Sequence, residues 1–205
     1  RPYALLSVTP LTGGVRRVKL SVNMKKTKNI AEYGKIIAEK DLVIGAGGNI
    51  SERAGEYLII KKKGAWMSSG AMDDYARVGF KEAVCDKSLS SETPLHIACY
   101  EARSNIGAVM HVHSPIIIAA AQNAEKLESV SYEFDCIIQK PVPSLGYIQP
   151  GSRELARAVG EEIKKGANAV MLKQHGAVLI GRDLEEAYLR ILALERACLV
   201  WLHTK

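Results

Sequence analysis

Short apolar segments with strand character alternate along this chain with segments that carry a helical apolar stripe. Residues 108–113 are rich in strand formers, and the apolar segment 115–121 that follows fits a buried helix. Residues 169–172 and 177–180 read as two strands around a polar break, and residues 29–40 place their large apolar side chains on one helical face. This alternation predicts a single α/β domain in which helices flank one mixed sheet.

The connecting segments carry weaker signals. Residues 91–103 predict a helix with a proline in its first turn, where proline is tolerated. Residues 72–78 predict a short helix, and residues 130–132 and 136–138 predict extended chain. No repeat or low-complexity tract divides the sequence, which favours one domain.

The charge of the chain is unevenly distributed. The 205 residues include 28 Lys and Arg against 22 Asp and Glu, a net charge of +6. Residues 1–28 hold seven of the basic residues and no acidic one, which leaves 21 against 22 in the remainder. The one basic run there, Lys61-Lys62-Lys63, is interpreted as a solvated turn, so no nucleic-acid partner is expected. The longest apolar runs fall far below the roughly 20 residues that cross a bilayer, so no membrane partner is expected either.

The N-terminal residues and the cysteines indicate the cellular compartment of the protein. Residues 1–23 precede Met24 and a helix-like segment, and we interpret them as an N-terminal extension, vector-derived or the result of a mis-assigned start. They lack the continuous apolar stretch of a signal peptide. The four cysteines are widely spaced without a C-x-x-C pair, which predicts reduced, mostly buried thiols in a cytoplasmic protein. They are Cys85, Cys99, Cys136 and Cys198.

Two histidines lie two residues apart in a predicted strand. Alternate residues of a strand face the same side, so His111 and His113 project two imidazoles that are close enough to share a metal ion. A half-exposed strand with alternating polar residues is the plainer interpretation of such a pair. His175, followed by Gly176, interrupts an apolar strand pair, where an imidazole without a partner is costly, and this favours function over packing.

A carboxylate lies near the start of the predicted helix 91–103. Glu92 and His96 are four residues apart and therefore share one helix face. Beside a three-histidine zinc site, Glu92 would be a fourth ligand or a general base that substrate displaces from the metal. Alternatively, Glu92 only complements the helix dipole.

Three short motifs are candidates for phosphate binding. Backbone N–H groups at turns and helix starts, joined by hydroxyls and an amide, hold a phosphate without lysine or arginine. Simple turn chemistry explains each motif equally well when it is taken alone. The candidates are Gly48 with Asn49, Ser69 with Gly70, and Ser90 with Ser91.

Taken together and in this order, these segments resemble the class II aldolase/adducin family of zinc-dependent sugar-phosphate enzymes. The likeness covers nearly all of residues 24–205, which are assigned to one class II aldolase/adducin-like domain. The matching motifs are Gly47-Gly48-Asn49-Ile50-Ser51, Ser68-Ser69-Gly70, Ser90-Ser91-Glu92 with His96, His111-Val112-His113-Ser114, Gly151-Ser152-Arg153-Glu154-Leu155, and Gln174-His175-Gly176 continuing into residues 181–187.

The resemblance implies an αβα domain with a mainly antiparallel sheet, and a homotetramer with active sites between subunits. It makes His111, His113 and His175 ligands of one Zn²⁺ per subunit, and Glu92 an acid/base that also approaches the metal. It assigns the phosphate pocket to Gly48, Asn49, Ser69, Gly70, Ser90 and Ser91. The family's aldolases also use a tyrosine proton donor, which neither Tyr132 nor Tyr147 matches by motif.

The function that the resemblance implies is aldol cleavage of a sugar phosphate. A compound such as L-fuculose 1-phosphate would give dihydroxyacetone phosphate and an aldehyde through a metal-stabilised enediolate. Glu after the double serine matches the fuculose-phosphate aldolases, where the ribulose-phosphate 4-epimerases typically carry Asp. Two alternatives stay open: an epimerase or dehydratase with the same site, and a non-catalytic scaffold like the adducin head.

Overall fold

The structure is a computed structural model that describes residues 28–204, so the expected N-terminal extension, residues 1–23, lies outside the described residues. The helices are α1 (Ile30–Glu39), α2 (Phe80–Ala83), α3 (Thr93–Ala102), α4 (Pro115–Asn123), α5 (Arg153–Lys164) and α6 (Leu184–His203). The strands are β1 (Asn49–Ala54), β2 (Tyr57–Lys61), β3 (Tyr75–Gly79), β4 (Ala108–Val112), β5 (Lys126–Leu127), β6 (Val142–Leu145), β7 (Ala169–Leu172) and β8 (Gly176–Gly181).

The described strands form one sheet in the order β3-β2-β1-β4-β8-β7-β6-β5. Strands β6 and β7 pair in parallel, and the other neighbouring strands pair antiparallel. The predicted mixed, mainly antiparallel sheet is therefore confirmed. Strands β1, β4 and β8 lie side by side in the middle, and Asn49 pairs with His111, which in turn pairs with Val178.

Both faces of the central sheet are buried against helices. In β4, Ala108, Met110 and Val112 pack with α1, α4 and α6, whereas Val109 packs with α2, α3 and α5 on the other side. Side chains alternate between faces along a strand, so His111 and His113 point towards the face that α3 and α5 cover. Ile50 of β1 packs on the first face, which places the side chains of its neighbours Asn49 and Ser51 on the second.

The helix starts follow the caps in the sequence. Asn29 and Glu32 form a reciprocal capping box at α1, which places the cap at Asn29. The hydroxyls of Ser114 and Ser152 accept backbone N–H groups at α4 and α5, and the Asp183 carboxylate accepts the Glu186 N–H at α6. None of the helices within residues 28–204 combines the length and apolar character of a membrane span.

Two connecting segments differ from the predictions. Residues 72–78 are not a helix, because only Met72–Asp74 form a 3-10 turn before β3 pairs with β2. Residues 136–138 are not extended, since Phe134–Ile138 form a π-helical segment, and residues 130–132 form no strand because the chain bends at Ser131 and is helical from Tyr132. The Ser131 hydroxyl accepts the Phe134 N–H and starts this turn, and Phe134 and Ile138 are buried by it in the core. Tertiary packing thus overrides the strand propensity of these residues.

Two further expectations need correction. Lys61 does not lie in a solvated turn: it ends β2, and only 2% of its surface is exposed. The cysteines are all free, but only Cys99 and Cys198 are buried, while Cys85 and Cys136 are exposed.

A substitution at Gly176 is expected to destabilise the fold strongly. Its φ is +155°, and a Cβ at this position would lie 1.9 Å from the carbonyl oxygen of Val112 on the neighbouring strand. We expect Gly176→Ala to lower the free energy of unfolding by about 3 kcal/mol or more. Gly55, with φ +64° and no atom within 4 Å of where a Cβ would lie, is the control, because Gly55→Ala adds only the backbone cost of about 1–2 kcal/mol. Urea denaturation of both variants tests this, and equal losses would contradict the steric argument.

Candidate metal centre and active site

Strand β4 and the residue that follows it place two imidazoles side by side. His111 is fully buried within the strand, and His113 lies one residue beyond the end of the strand. The backbone N–H of His113 donates to the Leu42 carbonyl at 2.8 Å. The two ring centroids are 4.7 Å apart, and the two Nε2 atoms are 2.9 Å apart. The two rings lie together as expected, although His113 is outside the strand that was predicted to carry both.

The turn between β7 and β8 supplies the third imidazole. The backbone N–H of His175 donates to the Leu172 carbonyl and closes a turn in which Gln174 has a φ of +63°. This geometry places His175 Nε2 3.2 Å from His111 Nε2. The close approach of Gly176 to β4 holds the turn against the strand that carries the other two histidines.

Glu92 lies at the N-cap of α3, but its side chain does not cap the helix. Its Oε2 lies 3.0 Å from His111 Nε2, and its Oε1 lies 3.7 Å from His175 Nε2. The Ser90 hydroxyl accepts the Glu92 N–H at 3.3 Å, and the carboxylate is almost fully buried. The geometry therefore favours a role at the histidine cluster over a simple interaction with the helix dipole.

The four side chains fit a divalent cation. One ligand atom from each of Glu92, His111, His113 and His175 lies within 4.8 Å of the others. The His111 Nδ1–H donates to the Ala177 carbonyl at 3.0 Å, so Nε2 carries the lone pair that a metal ligand needs. Glu92 Oε1 is buried without a hydrogen-bond partner in the described part of the chain, and a bound cation would satisfy it. Three imidazoles with one carboxylate are a donor set suited to zinc and related ions.

Burial and mutual charge set the protonation of the cluster. Burial, followed by the nearby His111, lowers the pKa of His113 to about 3 and that of His175 to about 4. Burial alone would raise the pKa of Glu92, but His111, His175 and the Asn49 amide together hold that pKa well below its usual range. His113 and His175 are therefore neutral and Glu92 is ionised, which are the forms that ligate metals. Burial opposes protonation of His111, but Glu92 and the Ala177 carbonyl outweigh it and raise the pKa of that ring.

A chain of buried side-chain hydrogen bonds, starting at Asn49, fixes the position of the Glu92 carboxylate. Asn49 Nδ2 donates to Glu92 Oε2 at 3.0 Å, so the Asn49 Oδ1 atom must accept from His96 Nε2. His96 Nδ1 then accepts from the Ser51 hydroxyl at 2.6 Å, and the Tyr100 hydroxyl donates to Ser51 at 2.9 Å. Because a carboxylate only accepts, every donor direction in the chain follows from Glu92. His96 is thus a positioning residue rather than a ligand.

This chain predicts a pH dependence of stability. Burial, followed by the nearby His111, lowers the pKa of His96 to about 3. Below pH 6.5 the unfolded chain binds a proton that folded His96 does not, so stability falls as the pH drops towards 3. His96 alone is expected to remove about 2 kcal/mol between pH 7 and pH 5. Urea denaturation of metal-stripped protein should show a smaller pH dependence for His96→Gln than for the wild type, and an equal dependence would contradict the assignment.

A cavity of about 180 Å³ opens beside the cluster. The loop before β1 forms one wall: Gly48 has a φ of +63°, and a Cβ there would lie 2.8 Å from the His111 carbonyl oxygen, so only glycine permits this approach. The cavity brings together most of the residues predicted from the sequence. These are Gly48, Asn49, Ser90, Ser91, Glu92, His113 and His175.

The remaining candidates lie elsewhere or were missed. Ser69 and Gly70 do not line this cavity, because they end a 3-10 turn where the Ser69 hydroxyl bonds Asp74. Tyr132 and Tyr147 are exposed and do not line it. Six residues not predicted for the site also line it: Ala46, Gly47, Lys61, Lys63, Gly64 and Pro150. For the two lysines and Gly64, the signal in the sequence was the basic run directly after an apolar strand.

Comparisons with known proteins agree with the fold. The profile described as Class II Aldolase and Adducin N-terminal domain matches residues 28–202. L-fuculose phosphate aldolase of Methanococcus maripaludis is 30% identical over 161 residues, which are 78% of this chain and 87% of the relative. A 5-deoxy-D-ribulose 1-phosphate aldolase of Bacillus thuringiensis is 27% identical over 185 residues, 88% of this chain and 86% of the relative. The crystal structure of L-fuculose-1-phosphate aldolase from Thermus thermophilus aligns with a TM-score of 0.78 and 23% identity over 85% of this chain and 91% of that one.

The helix-flanked mixed sheet and the aldolase relatives define an aldolase-type lyase, and its carboxylate–histidine cluster has the side chains to hold a divalent cation. The chain belongs to the class II aldolase and adducin family, as its sequence motifs indicated.

Proposed function

We infer that the protein is a zinc-dependent aldolase that cleaves a short keto-sugar phosphate, such as L-fuculose 1-phosphate, into dihydroxyacetone phosphate and an aldehyde. The observation that carries this inference is the convergence of Glu92, His111, His113 and His175, three of which line a cavity whose other wall offers anion-binding groups. The fourth, His111, is buried behind them. The two aldolase relatives, which are named for L-fuculose phosphate and 5-deoxy-D-ribulose 1-phosphate, support this substrate class.

One group of residues would bind the phosphate of the substrate, and another would hold the cation at its reacting oxygens. Gly48, Asn49, Ser90 and Ser91 would hold the phosphate through N–H, amide and hydroxyl donors. Ser69 and Gly70, which lie outside the cavity, are left out of this proposed set. A divalent cation held by the histidines supplies Lewis-acid stabilisation of the negative charge that develops on the substrate oxygens.

Glu92 is the residue placed to move a proton. When the C3–C4 bond breaks, its electron pair stays with C3, and that carbon must receive a proton before dihydroxyacetone phosphate leaves. The low pKa of Glu92 keeps its carboxylate ionised at the start, and the Asn49 amide fixes one of its oxygens. The C4 hydroxyl releases a proton as the aldehyde forms, so Glu92 would first accept a proton, directly or through water, and then deliver it to C3. The second oxygen, Oε1, has no hydrogen-bond partner in the described part of the chain, and it would serve as the acid/base atom once substrate displaces it from the cation.

Further proposals concern the domain bounds, the native metal, the cellular compartment and the oligomeric state of the enzyme. We propose residues 24–205 as the functional domain, with zinc as the native metal, because three imidazoles suit Zn²⁺, although they accept cobalt and manganese as well. The free thiols are consistent with a reducing cytoplasm. A homotetramer with sites between subunits completes the proposal.

Product analysis tests the function directly. Zinc-loaded protein is incubated with L-fuculose 1-phosphate or 5-deoxyribulose 1-phosphate, with and without chelator, and dihydroxyacetone phosphate is measured beside the metal content. Chelator-sensitive release is the expected result. An epimerised or dehydrated product from metal-containing protein would replace the aldolase by one of its family alternatives. Absence of both zinc and turnover would favour a scaffold like the adducin head.

A further inference from the structure

A second cavity, of about 470 Å³, lies at the end of the sheet opposite the histidine cluster. Ile180 and Gly181 at the end of β8 line it, together with Ile106, which precedes β4. The cluster lies at the other ends of these two strands, at His111 and His175. At about 3.3 Å per residue, β8 spans about 16 Å, so the two cavities are separate. We call this second one the arginine cavity.

The walls of the arginine cavity carry an excess of positive charge. Glu186 is the one carboxylate among the described residues that line it. Asp183 does not line it, and its charge acts on Arg182 and Arg190 through space. Four cationic side chains against one carboxylate leave an excess of three positive charges at the wall. The four are Arg103, Lys140, Arg182 and Arg190.

Glu186 is already shared by two of the arginines. Its Oε2 accepts from Arg182 Nε at 3.0 Å, and its Oε1 accepts from Arg190 Nη2 at 3.0 Å. One carboxylate therefore neutralises only one of these two charges. None of the ion pairs within residues 28–204 involves Arg103 or Lys140. The excess charge thus has no counter-charge in the described part of the chain.

Two of the guanidinium groups are held in fixed positions. Arg190 is only 6% exposed, and its Nη1 donates to the Ile180 carbonyl at 2.6 Å. Arg103 Nη2 donates to the Ala167 carbonyl at 3.0 Å and to Asn168 Oδ1 at 2.9 Å. The Arg103 Nε–H is buried and has no acceptor among residues 28–204. A buried donor without an acceptor is unfavourable, and an anion bound to this guanidinium would satisfy it.

The guanidinium groups also act on one another. Burial lowers the pKa of Arg190, Glu186 opposes this effect, and Arg103 and Arg182 lower that pKa further. Like charges that affect one another in this way are held together against their repulsion, which a bound anion would relieve. Guanidinium groups bind phosphate and carboxylate oxygens through paired N–H donors. The wall therefore has the donors and the charge to bind an anion.

We propose that the arginine cavity is a second binding site, which takes a small molecule with two anionic groups. Its volume lies in the range of about 300–1,000 Å³ that is usual for small-molecule sites. A molecule with two anionic groups matches an excess of three positive charges better than one with a single anionic group. The site goes beyond the function proposed above and does not depend on it. The alternative is that the arginines only brace the end of the sheet.

Calorimetry on metal-loaded protein tests the proposal with two probes, glucose 1,6-bisphosphate and succinate. The probes separate phosphates from carboxylates as the anionic groups. Arg103→Gln is expected to weaken binding of the tighter probe by about 10-fold or more. Arg157→Gln is the matched control, because Arg157 is exposed on α5 and does not line this cavity, and it should leave the affinity within about 2-fold. Failure of the wild type to bind either probe would overturn the proposal.

A site-resolved measurement separates the arginine cavity from the one beside the histidine cluster. In nitrogen-15 NMR of the arginine side chains, the tighter probe must shift the Nε–H resonance of Arg103 in the wild type and in His113→Ala alike. An unmoved resonance would overturn the proposal, as would unchanged affinity in a folded Arg103→Gln variant. If that variant does not fold, the Arg103 resonance of the wild type decides alone.

The test is separate from that of the proposed aldolase. Binding at Arg103 without aldol cleavage would retain the second site and reject the aldolase. Aldol cleavage by a protein whose Arg103 resonance does not move would do the reverse.

Discussion

Replacing His113 by alanine is expected to remove the metal and the activity together. The variant loses one of three imidazole ligands and opens the cluster to water, so the affinity for zinc should fall by about 100-fold or more. His111 and His175 remain, but their Nε2 atoms, 3.2 Å apart, then lack the third imidazole that completes the histidine set. Metal analysis after dialysis and a zinc titration by calorimetry measure the change.

His203→Ala is the matched control for this prediction. His203 is exposed at the end of α6, and its Nδ1 bonds only the Leu199 carbonyl of its own helix. This control should keep full metal content and activity. In the wild type a chelator should lower the melting temperature, because a ligand that binds only the folded state stabilises it, and in His113→Ala the chelator should have little effect. Full zinc occupancy in His113→Ala would refute the ligand assignment.

Replacing Glu92 by glutamine is expected to retain the metal and to lose proton transfer. The three imidazoles stay in place and the side-chain volume is unchanged, so zinc content should remain near that of the wild type. The amide cannot act as an acid/base at this position, and kcat should fall by about 10²- to 10⁴-fold. The direct measurement is exchange of the C3 proton of dihydroxyacetone phosphate with deuterated water, followed by NMR.

Glu101→Gln serves as the control for this variant. Glu101 lies on the same helix, α3, but is exposed and does not line the cavity beside the cluster. Its variant should exchange the proton at the wild-type rate. Unimpaired exchange in Glu92→Gln would assign the proton transfer to another group and leave Glu92 as a ligand only.

The local parts of the site were predictable because they depend on short-range geometry. Side chains two residues apart in extended chain face the same side, which predicted that His111 and His113 lie together, and the bond of the His113 backbone N–H to Leu42 keeps this geometry just past the end of β4. The caps at Asn29, Ser152 and Asp183 likewise depend on residues three positions away. His175 and Glu92 were candidates by their local settings, and the resemblance to a family placed them at one site with the first pair, from which they are distant in sequence.

The predictions failed where tertiary packing decided the outcome. Residues 136–138 have strand-forming side chains, yet the burial of Phe134 and Ile138 selects a π-helical segment. The Lys61-Lys62-Lys63 run resembles a solvated turn, and only the pairing of β2 with β3 shows that the first lysine turns inwards while the second stays exposed. Alternation along the strand explains this difference once the end of the strand is known.

The sequence by itself determined the helix caps, the strand that carries two histidines, and the mixed sheet flanked by helices, because hydrophobic period and capping act over a few residues. Only the tertiary structure decided which groups share the cavity. In the structure Glu92 and His175 lie beside His111 and His113, Ser69 lies outside the cavity, and Lys61 lines it. The physical reason is that these positions depend on long-range pairing of β1, β4 and β8 and on packing of α3 against them, which local patterns do not encode.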